Sequence, residues 1–279
     1  MIERINQQIK EHFFAHLMLL IYGTIALFPI VLVVINSFKS RKAIFSAPMS
    51  LPNRETFSLV GYSTVWERAN FDLYFGNSII ITVVSIFLIL LTGAMAAFAL
   101  SEYDFRGNGL MSLYMGLGIM IPIRLGTVGI LRLVVAMGLT NTRLALILVY
   151  TAQGLPLAIF VLQSFMSQIP RELKEAARVD GASEYRIFSL ILPIVRPAVA
   201  TVAVFVMIPI WNDLWFPLIL APGESTKTVT LGAQQFLGQF VSDWNAILSS
   251  LTLAMIPILI LYLLFSRQLI SGITAGAVK

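Results

Sequence analysis

Several apolar runs in this chain are long enough to cross a lipid bilayer, and that removes most folds from consideration. About 20 apolar residues rising 1.5 Å each span the hydrocarbon core. Lipid offers no water to satisfy backbone N–H and C=O groups, so such runs must be helices. Six can be drawn, at about 13–37, 75–100, 110–137, 142–166, 198–221 and 245–267. The 279 residues are 58% hydrophobic and only 12% charged, more apolar surface than a soluble core hides. The expected fold class is all-α integral membrane, one transmembrane domain over residues 1–279 with six transmembrane helices.

Proline interrupts the runs at Pro29, Pro122, Pro156, Pro209, Pro217 and Pro257, sites where membrane helices kink if neighbours re-satisfy the freed carbonyls. The first run is too long for a cleavable leader and is read as a span. Cysteine is absent, which rules out disulfides and thiolate metal sites. His12 and His16 share a face at i, i+4, but interfacial side chains at the foot of a span explain them better than a metal pair, and no metal is expected. A net charge of +5 in such a chain does not point to nucleic acid.

Between the fourth and fifth runs lies a polar island, residues 167–197. Pro170 suits a helix start, where its missing N–H costs nothing, and Glu172 suits the helix dipole. Leu173, Ala176, Ala177 and Asp180 follow at spacings of three and four, which predicts one shared face. Gly181 is the expected left-handed stop, and Ser183 is placed to cap a second short helix running toward Pro193. Two short helices joined by a tight turn are expected, bare enough at Ala176 and Ala177 for close approach of another backbone.

Glu175-Ala176-Ala177, Gly181 and Leu192-Pro193 resemble the E-A-A loop of ATP-binding-cassette (ABC) importer permeases, with the last gap one residue shorter than in that pattern. Arg178 to Ser183 and Ile187-Phe188 are similar to the carbohydrate-uptake branch, as are Asn77-Ser78, Tyr103-Asp104-Phe105-Arg106-Gly107 and the ending Leu269 to Lys279. The resemblance implies a type I ABC importer permease fold with a cytoplasmic coupling-helix loop. It implies that Glu175, Ala176, Ala177, Asp180 and Gly181 dock a separate ATPase, and that the 269–279 tail enters the ATPase dimer interface. ATP and magnesium then belong to that partner, and this chain needs no cofactor. Two ATPase copies, a second permease subunit forming a heterodimer and an external solute-binding protein complete the implied assembly, in a bacterial plasma (inner) membrane.

Lysine and arginine divide almost evenly between the two sides of a six-span chain, and Lys39, Arg41 and Lys42 after the first run favour the reverse orientation. Orientation therefore follows from the resemblance, which puts 167–197 and both termini in the cytoplasm. The 38–74 loop, with Pro48, Pro52 and Trp66, then lies outside, as a contact for an external protein or a cap on the spans.

Charged groups inside lipid are costly, so each is a functional candidate. Arg124 lies about 21 Å up the third run, and Asp213 with Asn212 lies at nearly the same height in the fifth. Trp211 and Trp215 flank them one helical turn apart, and aromatic faces beside hydrogen-bonding groups suit a sugar ring. Two readings stand: a substrate path past Arg124, Trp211, Asn212, Asp213 and Trp215, or an Arg124–Asp213 ion pair with interfacial tryptophans. Gln153, beside Gly154 and Pro156, is a further path candidate.

The chain has no G-x-x-x-x-G-K-[ST] phosphate loop, H-E-x-x-H pair or nucleophile elbow, so no catalytic residue is expected. An ion-coupled secondary transporter would need intramembrane carboxylates, and only Asp213 is available; a non-transporting scaffold would leave the E-A-A loop idle. The expectation is a non-catalytic permease subunit of a binding-protein-dependent ABC importer for a sugar or sugar derivative.

Overall fold

The computed structural model describes residues 2–68, 70–238 and 242–277, with side chains described between residues 13 and 260 of these and at Tyr262 and Leu263. The side chains of His12 and of the 269–279 tail lie outside that description. In chain order the helices are α1 (Ile2–Ser37), α2 (Arg41–Ser46), α3 (Val60–Arg68), α4 (Phe71–Glu102), α5 (Asn108–Met120), α6 (Thr127–Ala136) and α7 (Arg143–Met166). They continue as α8 (Arg171–Val179), α9 (Glu184–Ile194), α10 (Arg196–Asn212), α11 (Trp215–Leu220), α12 (Val229–Ala233) and α13 (Trp244–Ala277). No strand occurs among the described residues, and Lys39 pairs with Phe57 in an isolated bridge.

Three helices cross a bilayer unbroken by length and composition: Phe13–Ser37, Phe71–Glu102 and Arg143–Met166. Two further candidate spans are bent pairs, α5 with the stretch after it at 89° and α9 with α10 at 74°. The last apolar run begins in α13, whose Trp244–Ile260 part is apolar. The 110–137 and 198–221 runs, drawn above as single spans, are each divided. Pro122 pushes Ile121 out of the helical region to φ −81°, ψ 118°, and the chain passes through a 3-10 turn at Ile123–Gly126 before α6. In the later run α10 stops at Asn212 because Asp213 is extended, at φ −70°, ψ 135°, and α11 starts afresh.

Contacts divide the chain into two compact units, residues 1–70 with 233–255 and residues 71–232 with 256–279. In the first, Lys39 is fully buried yet satisfied: its ammonium donates to Asn36 Oδ1 at 3.1 Å, Ala47 O at 2.9 Å and Pro48 O at 3.1 Å. Asn245, at the start of α13, donates to the Lys39 carbonyl at 2.7 Å. A Cβ on Gly61 of α3 would lie 2.3 Å from the Asn245 carbonyl oxygen, so only glycine permits that approach. The segment after α1 is therefore folded within its unit, held by a buried cation on neutral acceptors.

In the second unit α4 and α7 form the most extensive helix pair. Apolar attraction is weak between helices in lipid, and close backbone approach through small residues replaces it. Gly93 and Ala97 on α4, and Gly154 and Ala158 on α7, repeat at i, i+4 on each helix. A Cβ on Gly93 would stand 2.9 Å from Ala158 Cβ, and one on Gly154 would stand 2.4 Å from Ile89 Cδ1.

Candidate functional site

The 167–197 island folds as two short helices, α8 and α9. Gly181 adopts φ +77°, as expected. Its N–H donates to Arg178 O at 3.0 Å, and that of Ala182 donates to Ala177 O at 2.9 Å, the bond pair of a Schellman stop. Ser183 is extended but makes no side-chain cap bond, contrary to the expected role; its carbonyl instead accepts the N–H groups of Arg186 and Ile187.

The face predicted for Leu173, Ala176, Ala177 and Asp180 divides. Leu173, Glu175, Ala176, Val179, Asp180 and Gly181 are exposed, whereas Ala177 is half-buried against the core that holds Phe98, Ile187 and Ile191. Val179 at 87% exposure and Tyr185 at 80% leave an apolar surface on these two helices that the chain itself does not cover.

The inward face is polar. Lys174 and Arg178 each place a nitrogen 2.6 Å from the Glu102 carboxylate at the end of α4. Arg178 Nε also donates to Glu184 Oε1 at 2.9 Å, and the Tyr103 hydroxyl donates to Glu184 Oε2 at 2.9 Å. The bonds to Glu184 and Glu102 hold the Arg178 guanidinium above its ordinary pKa, so it stays charged.

At the breaks in the 110–137 and 198–221 runs, Arg124 and Asp213 meet at 3.5 Å, with side chains 67% and 7% exposed. The Asp213 carboxylate also accepts the Tyr150 hydroxyl at 2.9 Å and the backbone N–H groups of Trp215 at 3.2 Å and Phe216 at 3.1 Å. Trp215 is exposed, and its indole N–H donates to Thr127 Oγ1 at 3.0 Å, which sets a ring on the same side as Arg124. Trp211 instead is buried, edge-on to Phe75 at 5.7 Å. Asn212 is exposed, with its amide donating to Ile208 O at 3.0 Å. Gln153 opens on a cavity it shares with Tyr150, Phe205 and Pro209. Thus Arg124, Asp213 and Trp215 converge, Gln153 is linked to them through Tyr150, and Trp211 is buried against Phe75.

Past α11, the loop 221–228 is pinned. Asn77 donates to the carbonyls of Ser225 and Lys227 at 3.0 Å each, and Ser78 accepts the Val229 N–H at 2.8 Å. Asn141, left-handed at φ 57°, accepts the Gly223 N–H at 2.7 Å. Glu224 receives bonds from Lys227 and Tyr74, which hold its carboxyl below the usual range.

A profile of the family described as binding-protein-dependent transport system inner membrane component matches residues 12–274. The chain belongs to that family. It is 33% identical, over 268 residues covering 95% of this chain and 88% of the relative, to the diacetylchitobiose uptake system permease protein of Streptomyces coelicolor. It is 30% identical, over 272 residues covering 93% and 94%, to the trehalose/maltose transport system permease protein of Thermococcus litoralis. Its fold is similar to that of a chain in a bacterial ABC transporter involved in import of the acidic polysaccharide alginate, with a TM-score of 0.76 and 21% identity over 90% of this chain and 94% of that one.

A multi-pass membrane subunit of this family is a transport component. Two of its features escaped the sequence reading. The small-residue repeats of α4 and α7 were legible as i, i+4 pairs within apolar runs. The Glu102 cluster was not, because nothing in the spacing links residue 102 to residues 174 and 178.

Proposed function

We propose that this chain is one permease subunit of an ABC importer for a sugar or sugar derivative, forming half of a translocation path and driven by a separate ATPase docked on α8 and α9. The observation that carries this reading is the exposed pair of short helices with uncovered Val179 and Tyr185, in a member of a binding-protein-dependent transport family. Relatives matched along nearly the whole chain carry the names of sugar uptake systems, which supports the solute class. Glu175, Ala176, Asp180 and Gly181 form the outer docking surface, with Ala177 fixing the helix behind it. ATP and magnesium are held by the ATPase, present in two copies, while a second permease completes a heterodimer and an external solute-binding protein delivers the solute. The 167–197 loop and both termini face the cytoplasm. Arg124, Asn212, Asp213, Trp215 and Gln153 border the path, and buried Trp211 supports it from behind.

The test is Ala176→Asp, since Ala176 faces outward while Ala177 is half-buried. Pressing an unpaired carboxylate into a dry contact costs about 3 kcal/mol or more, over a hundredfold in affinity. The spans are untouched, so the permease pair should still insert while the ATPase no longer co-purifies. Full ATPase retention with normal stimulated hydrolysis would sink the docking assignment.

A further inference from the structure

The ion pairs at the foot of α4 join the exposed helix pair to a membrane span. Glu102 ends α4 with its side chain 8% exposed, and its two oxygens take different partners: Oε2 binds Lys174 and Oε1 binds Arg178, each at 2.6 Å. Lys174 is itself 5% exposed. Arg178 continues to Glu184 in the first turn of α9 at 2.9 Å, and Glu184 is tied to Tyr103 at 2.9 Å. Two cations and two carboxylates thus close into a neutral set on which α4, α8 and α9 meet.

The turn behind Glu102 is held as well. The Asn108 amide donates to Leu100 O at 3.1 Å and Tyr103 O at 2.7 Å, binding the end of α4 to the start of α5. Lys174 is the sole buried residue of α8 among those described. Buried Ile169 before it and half-buried Ala182 after it anchor its ends, and along its length α8 is held inward by these bonds and by the half-buried Ala177. Apolar contacts slide at small cost, whereas short charge-assisted bonds to two faces of one carboxylate resist both rotation and shear.

We propose that Glu102 is a positioning residue for coupling: it fixes α8 rigidly to α4, so that displacement of α8 is delivered to that span. The proposal rests on α8 being the ATPase-docking helix. It locates the mechanical link in side chains at the end of α4, not in the backbone leading from α7 into α8.

This chain has no native cysteine, so once any cysteines of the partner subunits are replaced, a single introduced one permits a clean optical test in the complete permease–ATPase complex. A fluorophore on Asp72→Cys, exposed in the first turn of α4, reports movement of its far end when ATP and vanadate are added. With Glu102 intact the label should shift. With Glu102→Gln the ATPase should co-purify at unchanged stoichiometry while the shift falls at least fivefold. Pairing Glu102→Gln with Lys174→Met removes the uncompensated lysine and should restore thermal stability without restoring the shift. A merely stabilising Glu102 would instead lower the yield of complex and leave the shift per complex unchanged, which would overturn the proposal. So would absence of a shift with Glu102 intact, or loss of the ATPase with Glu102→Gln alone. Failure of the docking reading is separate, since it would show as Ala176→Asp retaining the ATPase.

Discussion

A guanidinium inside a span costs up to about 2.5–3.5 kcal/mol on insertion scales, most at the bilayer centre, so the charge of Arg124 calls for an answer. Asp213 supplies it from the break between α10 and α11, but the service is lopsided. Arg124 makes one 3.5 Å contact, while the carboxylate holds three shorter bonds, from Tyr150, Trp215 N and Phe216 N. Loss of Arg124 therefore leaves Asp213 satisfied, whereas loss of the carboxylate strands Tyr150 and the start of α11. Asp213→Asn should destabilise by about 1–3 kcal/mol, and Arg124→Gln by much less. Thermal unfolding in detergent measures both. Equal losses would mean that Arg124 serves chiefly to neutralise Asp213, leaving no exposed charge for a solute.

At the scale of elements, α4 and α7 are held by what their contact lacks. Gly93 faces Ala158, whose methyl is fixed to the backbone and has no rotamer by which to retreat. Gly93→Val forces the helices apart, and overpacking of this kind costs about 1–3 kcal/mol. Gly116 of α5 is the contrasting site, because nothing lies within 4 Å of a Cβ placed there. Gly116→Ala removes backbone freedom from a helix interior and should hold or raise stability by up to about 1 kcal/mol. The melting temperature of Gly93→Val should fall, while that of Gly116→Ala holds or rises. A Gly93→Val protein as stable as its parent would show that the α4–α7 contact is loose.

For the whole molecule, orientation is the property that charge bias leaves undecided, with basic residues on both sides of the spans. The proposed arrangement puts the segment after α1 outside and the turn after α4 in the cytoplasm. Both hold exposed residues suited to a single introduced cysteine, Glu55 in the first and Asp104 in the second. An impermeant maleimide should label Glu55→Cys in intact cells and Asp104→Cys only after permeabilisation. The reverse pattern would turn the chain over and place α8 where no ATP exists.

The spans were legible in the sequence because lipid is a uniform solvent that judges each run by length and apolarity alone. The Gly181 stop was legible for a like reason, since backbone chemistry within one turn decides it. The break at Pro122 was not, since Pro29, Pro156 and Pro257 lie inside continuous helices. Arg124 and Asp213 could be paired by height because rise per residue is fixed in a helix. Which side of α8 turns inward was beyond that reach: its alanines and its charges lie on opposite sides, yet the residue that is buried is Lys174, while Leu173 and Ala176 stay exposed. Nor could periodicity find Glu102 opposite Lys174 and Arg178, or Tyr150 opposite Asp213, which stand 63 residues or more apart along the chain. Those pairings exist only once α4 has docked with α8, and α7 with the end of α10, because a hydrogen bond depends on where its atoms end up in space, and sequence distance does not set that.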